Sequence, residues 1–156
     1  MRRTLTACLF VAVFLACFTA LAADEISGRV VKVLPFYVDL QGQIAKSPSL
    51  FDRDAYQAYL REKTNEVSAM RYDVQWKASK FDDARLKLRL ELRGVGDHGV
   101  PKLQTLETNI PAGTFHEWTS MTLSGDDYKK FGTAVAWRAT LWNSDTLLGE
   151  QKSFLW

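Results

Sequence analysis

Reactive side chains are scarce in this sequence. Its 156 residues include two cysteines and two histidines, and both cysteines, Cys8 and Cys17, fall in an N-terminal segment with the marks of an export signal. A chain that loses this segment has no disulfide, no thiol nucleophile and no thiolate metal site, so packing must hold it together. There is no Gly-x-Ser-x-Gly elbow, no phosphate-binding loop and no dinucleotide fingerprint. Neither is there an Asn-x-Ser/Thr sequon, which fits a bacterial export route. Formal net charge is only +2, and discounting Arg2 and Arg3 leaves 18 basic residues against 18 acidic ones. The positive field on which nucleic-acid binding depends is missing, so no nucleic-acid partner is expected.

The address is written at the start. Residues 1–22 open with Arg2 and Arg3, run through an apolar stretch from Ala7 to Phe18 and end in Ala20-Leu21-Ala22, the small-x-small pattern of a signal-peptidase site. Such a run is too short for a permanent span, which needs about 20 apolar residues, and no second one follows, so no membrane insertion of the mature form is expected. Cleavage before Cys17 as a lipoprotein is the competing reading. It leaves Phe18 and Leu21 in what should be a polar tether, so simple cleavage at Ala22 and a periplasmic or secreted location are preferred. Residues 23–156 then have the size of one domain.

Within that domain the dominant period is two. Met70, Tyr72, Val74, Trp76 and Ala78 alternate with Arg71, Asp73, Gln75 and Lys77, and Leu86, Leu88, Leu90 and Leu92 alternate with Lys87, Arg89, Glu91 and Arg93. A strand puts each apolar set on one face, whereas a helix would spread it around the circumference. Buried together, the four leucines are worth ~2 kcal/mol each. Further strands are expected at Val30 to Leu40, where Pro35 demands an edge or a bulge, at Lys102 to Asn109, and at Thr114 to Leu123. Thr133 to Trp142 and Leu147 to Trp156 flank the turn formers Asn143-Ser144-Asp145-Thr146 and read as a hairpin. A three-residue loop would set Arg138 opposite Glu150 and carry the last strand to Trp156.

Seven short strands in about 130 residues suggest an antiparallel sandwich or barrel. Trp76 near the end of the second strand, the leucine strand after it and the closing hairpin resemble the immunoglobulin and fibronectin type III sandwich over roughly residues 28–156. The resemblance implies an all-β, antiparallel, immunoglobulin-like fold in which the strands of Trp76 and Leu90 lie in facing sheets with Asp73 and Glu91 pointing outward. It carries no function with it. The sequence departs from the antibody pattern in lacking a cysteine pair. Tyr128 is spaced from Leu123 like a tyrosine corner, but Lys129-Lys130-Phe131-Gly132 after it looks like a helical turn.

One stretch has the helical period, and it lies between the first two strands. Over residues 52–63, Asp52 is placed to cap the first turn and Phe51 to staple against Tyr56, with Ala55, Tyr56, Tyr59 and Leu60 forming one apolar face. About ten residues are marginal alone, so this helix should dock over an open end or edge of the sandwich. The alternative makes Arg53, Asp54, Tyr56 and Tyr59 the rim of a ligand groove.

Chemistry is sparse. His98 and His116, with Asp97 or Glu117, have metal-ligand side chains but no fixed spacing. Asp82-Asp83 and Asp126-Asp127 have the look of turn caps. No catalytic residue, metal or cofactor is assigned. Of five tryptophans, Trp76 and Trp137 fall in strong strand patterns and read as core, while Trp118, Trp142 and Trp156 lie near strand ends where one face is wet. The expectation is an exported, non-enzymatic binding or structural module of the cell envelope with a protein partner. The alternative is a glycan-binding module using exposed aromatics. Candidate binding residues are Arg53, Asp54, Tyr56, Tyr59, Trp118 and Trp142.

Overall fold

Leu86, Leu88, Leu90 and Leu92 share one buried face, each at most 2% exposed, and across the layer from them lie Tyr72, Val74 and Trp76, also buried. The two alternating patterns are thus the two sides of one core, and the segments that carry them belong to different sheets. In the computed structural model, which describes residues 26–79, 86–96, 99–111 and 116–156, seven strands form the sandwich: β1 (Ser27–Asp39), β2 (Val67–Ser79), β3 (Leu86–Val95), β4 (Pro101–Asn109), β5 (His116–Ser124), β6 (Thr133–Asn143) and β7 (Thr146–Lys152). The sheets run β1-β2-β5 and β4-β3-β6-β7, with every pairing antiparallel. The chain is an immunoglobulin-like sandwich, with the fourth strand attached to the sheet of β3 rather than to that of β2.

The outward faces keep the charges apart. Arg71 and Asp73 pair on β2, with Nε to Oδ1 at 2.6 Å, and Ser120 of β5 donates to the same carboxylate. On the other sheet the Arg138 guanidinium meets Glu91 at 2.6 Å. That contact displaces the expected pairing of Arg138 with Glu150: Arg138 lies opposite Lys152, and Glu150 faces Thr140. The hairpin closes through a two-residue turn, Ser144-Asp145, with Ser144 at φ 50°, and a bulge between Leu141 and Trp142 absorbs the extra residue.

The last strand also stops sooner than the apolar pattern suggested. β7 ends at Lys152, and the chain turns back so that the Trp156 ring lies 4.0 Å from the Arg93 guanidinium and 5.0 Å from that of Arg138. Trp156 caps the outer face of a sheet instead of extending its edge.

Among the described residues there are two α-helices where one was expected. The first, α1 (Leu50–Glu62), lies between β1 and β2; the second, α2 (Gly125–Phe131), follows β5. Its first turn holds Asp126 and Asp127, near the positive end of the helix dipole, so they are helix residues rather than turn caps. Tyr128 is part of α2 and packs on the core, so it forms no strand corner. Phe131, also buried, seats its ring where Gly94 has no side chain; a Cβ there would come within 2.6 Å of it.

The start of α1 corrects the capping assignment. Ser49, not Asp52, is the N-cap, and its hydroxyl accepts from the Asp52 N–H. Phe51 is 81% exposed, so it staples nothing. The buried helix residues are Gln57 and Leu60, while Ala55 and Tyr59 face out. The docking stripe is Arg53, Tyr56, Gln57 and Leu60, rotated from the all-apolar face the sequence suggested because it is built partly from polar side chains with fixed partners.

Candidate functional site

β1 is an edge strand, and two devices cover its outer side. At its start, Gly149 of β7 packs so close that a Cβ would sit 2.8 Å from the Arg29 Cα. Near its end, Gln57 of α1 accepts from the Tyr37 N–H at 2.7 Å and donates to the Tyr37 carbonyl at 2.9 Å, filling the rung a neighbouring strand would fill. Pro35, two residues earlier, turns its imide nitrogen to the same side, where a missing N–H breaks no pairing with β2.

Between these covers the two sheets part. The opening is a cleft of about 530 Å³ floored by Met70 and Tyr72 of β2. One wall is Leu34 to Tyr37 of β1, the other Ala134 to Trp137 of β6 with Ser153, and α1 overhangs it with Arg53, Asp54, Gln57 and Arg61. The Tyr72 hydroxyl is buried with only the Met70 sulfur as a partner, at 3.8 Å, and burial drives its pKa well above the usual tyrosine range. Arg53 is held by Asp54 at 2.8 Å and lies over the Phe36 ring at 5.2 Å. Arg61 has no ion-pair partner among the described residues, so the rim presents an unbalanced cation.

Beside the cleft a second polar cluster anchors α1. Asp39, 1% exposed, takes the Lys46 ammonium at 2.8 Å and the Tyr56 hydroxyl at 2.7 Å on Oδ2, and the N–H groups of Gln41 and Gln43 on Oδ1. Burial alone would raise its pKa; the Lys46 contact, the Gln43 and Gln41 amides and Tyr56 together outweigh it and hold the carboxyl far below the usual carboxylate range. The same contact lifts Lys46 to about 12. Every lone pair of this carboxylate is engaged, which makes it a structural hub.

The six candidate residues divide accordingly. Arg53 and Asp54 line the cleft. Tyr56 and Tyr59 stack at 6.0 Å but do not line it: Tyr56 is committed to Asp39 with Lys46 over its ring, and Tyr59 donates to Glu66. Trp118 is 45% exposed on the outer face of β5, while Trp142 lies on the other sheet, with Arg89 over its ring and its Nε1–H given to Thr140. They form no common platform. His98, Asp97 and Asp82-Asp83 lie outside the described residues, as does the export signal. Among the described residues no metal-ligand cluster of three His, Cys, Asp or Glu occurs, and no helix is long and apolar enough to cross a membrane.

The sequence pattern missed Gln57, Asp39, Lys46 and the β6 wall. Gln57 carried a faint signal, being the one amide on the helix at the spacing of Arg53 and Leu60.

No protein-family model matches the chain, and no curated protein matches it. Among solved structures, an immunoglobulin-like protein from Pseudomonas aeruginosa is similar at 14% identity, covering 84% of this chain and 96% of its own, with a TM-score of 0.37.

Proposed function

We propose that this protein is an exported, non-enzymatic module of the cell envelope that holds a protein partner at the cleft between β1, β6 and α1. The observation that carries the reading is the cleft itself: an apolar floor and walls beneath an arginine rim. Such a site takes one apolar anchor side chain from a partner, with a carboxylate next to it to meet Arg61. Water exclusion around a central anchor is how a few residues supply most of the affinity in protein interfaces. The Gln57 bridge and the Asp39 hub fix the overhanging helix before the partner arrives, so little ordering cost falls on binding. Export rests on the character of residues 1–22.

The test is capture from periplasmic extract with wild type, Val135→Glu and Arg61→Glu. Val135 lines the cleft and is 45% exposed, so a charge there spoils the anchor site without entering the core. A partner retained by wild type and lost at least about tenfold by both variants supports the cleft, since one misplaced charge in an interface costs more than 1.4 kcal/mol. Equal retention by all three overturns it.

A further inference from the structure

The four sheet edges are not equally guarded. β1 has Pro35, the Gln57 plug and its contact with β7. β4 begins at Pro101 and carries Lys102 and Glu107. β7 is short, holds Glu150 and Lys152 and is packed against β1. β5, HEWTSMTLS, has no proline and no lysine or arginine, and it runs beside β2 for nine residues without a bulge. Natural sheets blunt their edges with prolines, lysines, bulges and covering elements, and β5, with a single glutamate and none of these, is a template for another strand.

Backbone direction identifies the free groups. Gln57 takes both backbone groups of Tyr37, so Tyr37 points them away from β2, and its partner Met70 points its own toward β5. By the two-residue period Tyr72 and Val74 do the same, and their partners Met121 and Thr119, like Leu123 opposite Met70, turn inward to β2. Trp118, Ser120 and Thr122 are therefore left with N–H and C=O on the outer edge. Among the described residues nothing but β2 pairs with β5.

We infer that this edge pairs with β5 of a second copy of the chain, antiparallel about a two-fold axis through Ser120, to make one continuous six-stranded sheet. The occupant follows from the strand's symmetry. Ser120 is the midpoint of His116–Ser124, so an axis there overlaps the whole of both strands and sets Ser120 against itself as a hydrogen-bonded pair. Trp118 then lies opposite Thr122, an aromatic beside a β-branched residue, which gives the exposed indole a neighbour. The one charged residue on the strand, Glu117, faces Leu123 rather than its own mate, and the nearby Arg71 and Asp73 are already paired with each other. No like charges meet. A single strand edge buries less than a standard interface of about 1,600 Å², so the association is weak and concentration-dependent.

The experiment is sedimentation of the purified residues 23–156 over roughly a hundredfold concentration range, where mass action must move the equilibrium, together with oxidative crosslinking of variants whose introduced cysteine is the only one in that segment, Cys8 and Cys17 lying before it. An H-bonded antiparallel pair has Cα atoms about 5.5 Å apart, within reach of a disulfide. Ser120→Cys is expected to crosslink to itself, and Trp118→Cys and Thr122→Cys to do so far more slowly. Wild type should shift toward twice the monomer mass with concentration; Ser120→Pro, which removes an outward donor, and Thr122→Lys, which charges the edge, should stay monomeric with unchanged circular dichroism. If Ser120→Pro does not fold, Thr122→Lys reads the same interface. Monomer mass throughout, or Thr122→Cys linking as readily as Ser120→Cys, overturns the inference.

Discussion

The Tyr56 hydroxyl donates to Asp39 Oδ2 at 2.7 Å, joining the face of α1 to the last residue of β1. Asp39 is buried and accepts from four donors, and an Asn side chain keeps one accepting oxygen but turns an NH2 toward two of them, while the half-exposed Lys46 can return to water. Asp39→Asn is expected to destabilise the fold by about 1–3 kcal/mol, the range for leaving buried hydrogen-bonding groups without a partner, measured by chemical denaturation.

The same carboxyl sets the acid limb. Its folded pKa lies well below that of the free chain, and Glu107, held by Arg89, is shifted in the same direction. A depressed folded pKa gives stability that is intact above the unfolded value, about 4, and drains away as pH falls toward the folded one. Unfolding free energy should therefore hold level from neutrality to about pH 4 and drop below it, and Asp39→Asn should flatten that drop.

Gln57 makes a local rather than a global prediction. Its amide fills one rung beside Tyr37 and reaches the Ile44 carbonyl at 2.8 Å. Gln57→Leu keeps the volume but leaves the Tyr37 N–H exposed on an edge. Hydrogen exchange at Tyr37 should accelerate at least about tenfold, while amides of β3 keep their protection.

What was legible in the sequence follows from how far each signal reaches. The leucines of β3 and the alternation of β2 settle their own burial, because period two is local, whereas their placement in facing sheets was implied by the resemblance to the immunoglobulin sandwich and not by the period. The hairpin register is another matter. Arg138 had two acidic suitors, and the one it meets, Glu91, is 47 residues away, out of sight of any local rule. The helix face was misread because its docking stripe uses Gln57 and Tyr56, whose value lies in partners on β1 and the following loop. The cleft is less legible still, since its walls come from strands that only the sandwich brings together.

Two buried aromatics on β2 should respond differently to losing a polar atom. The Trp76 indole gives its N–H to Thr119 at 2.9 Å, whereas the Tyr72 hydroxyl has only a sulfur at 3.8 Å. Tyr72→Phe removes a hydroxyl that burial has desolvated for almost no return, so stability should change by less than about 1 kcal/mol in either direction. Trp76→Phe leaves a void and an orphaned Thr119 hydroxyl, and should cost about 3 kcal/mol in the same denaturation experiment.

Gly94 and Phe131 supply a test of the second helix. The ring fills the place of a side chain at Gly94, so Gly94→Ala must push it, and α2 with it, away from the sheet. Overpacking of this kind costs about 1–3 kcal/mol. Phe131→Leu alone is also destabilising, by about 1 kcal/mol for the lost contacts. Together the two changes relieve each other, because the smaller leucine leaves space for the new methyl. The double variant should be more stable than the sum of the single effects by about 1 kcal/mol, the coupling typical of residues in contact. Strict additivity in thermal unfolding would mean that the ring of Phe131 does not rest on Gly94, and that α2 is held to the sandwich by something else.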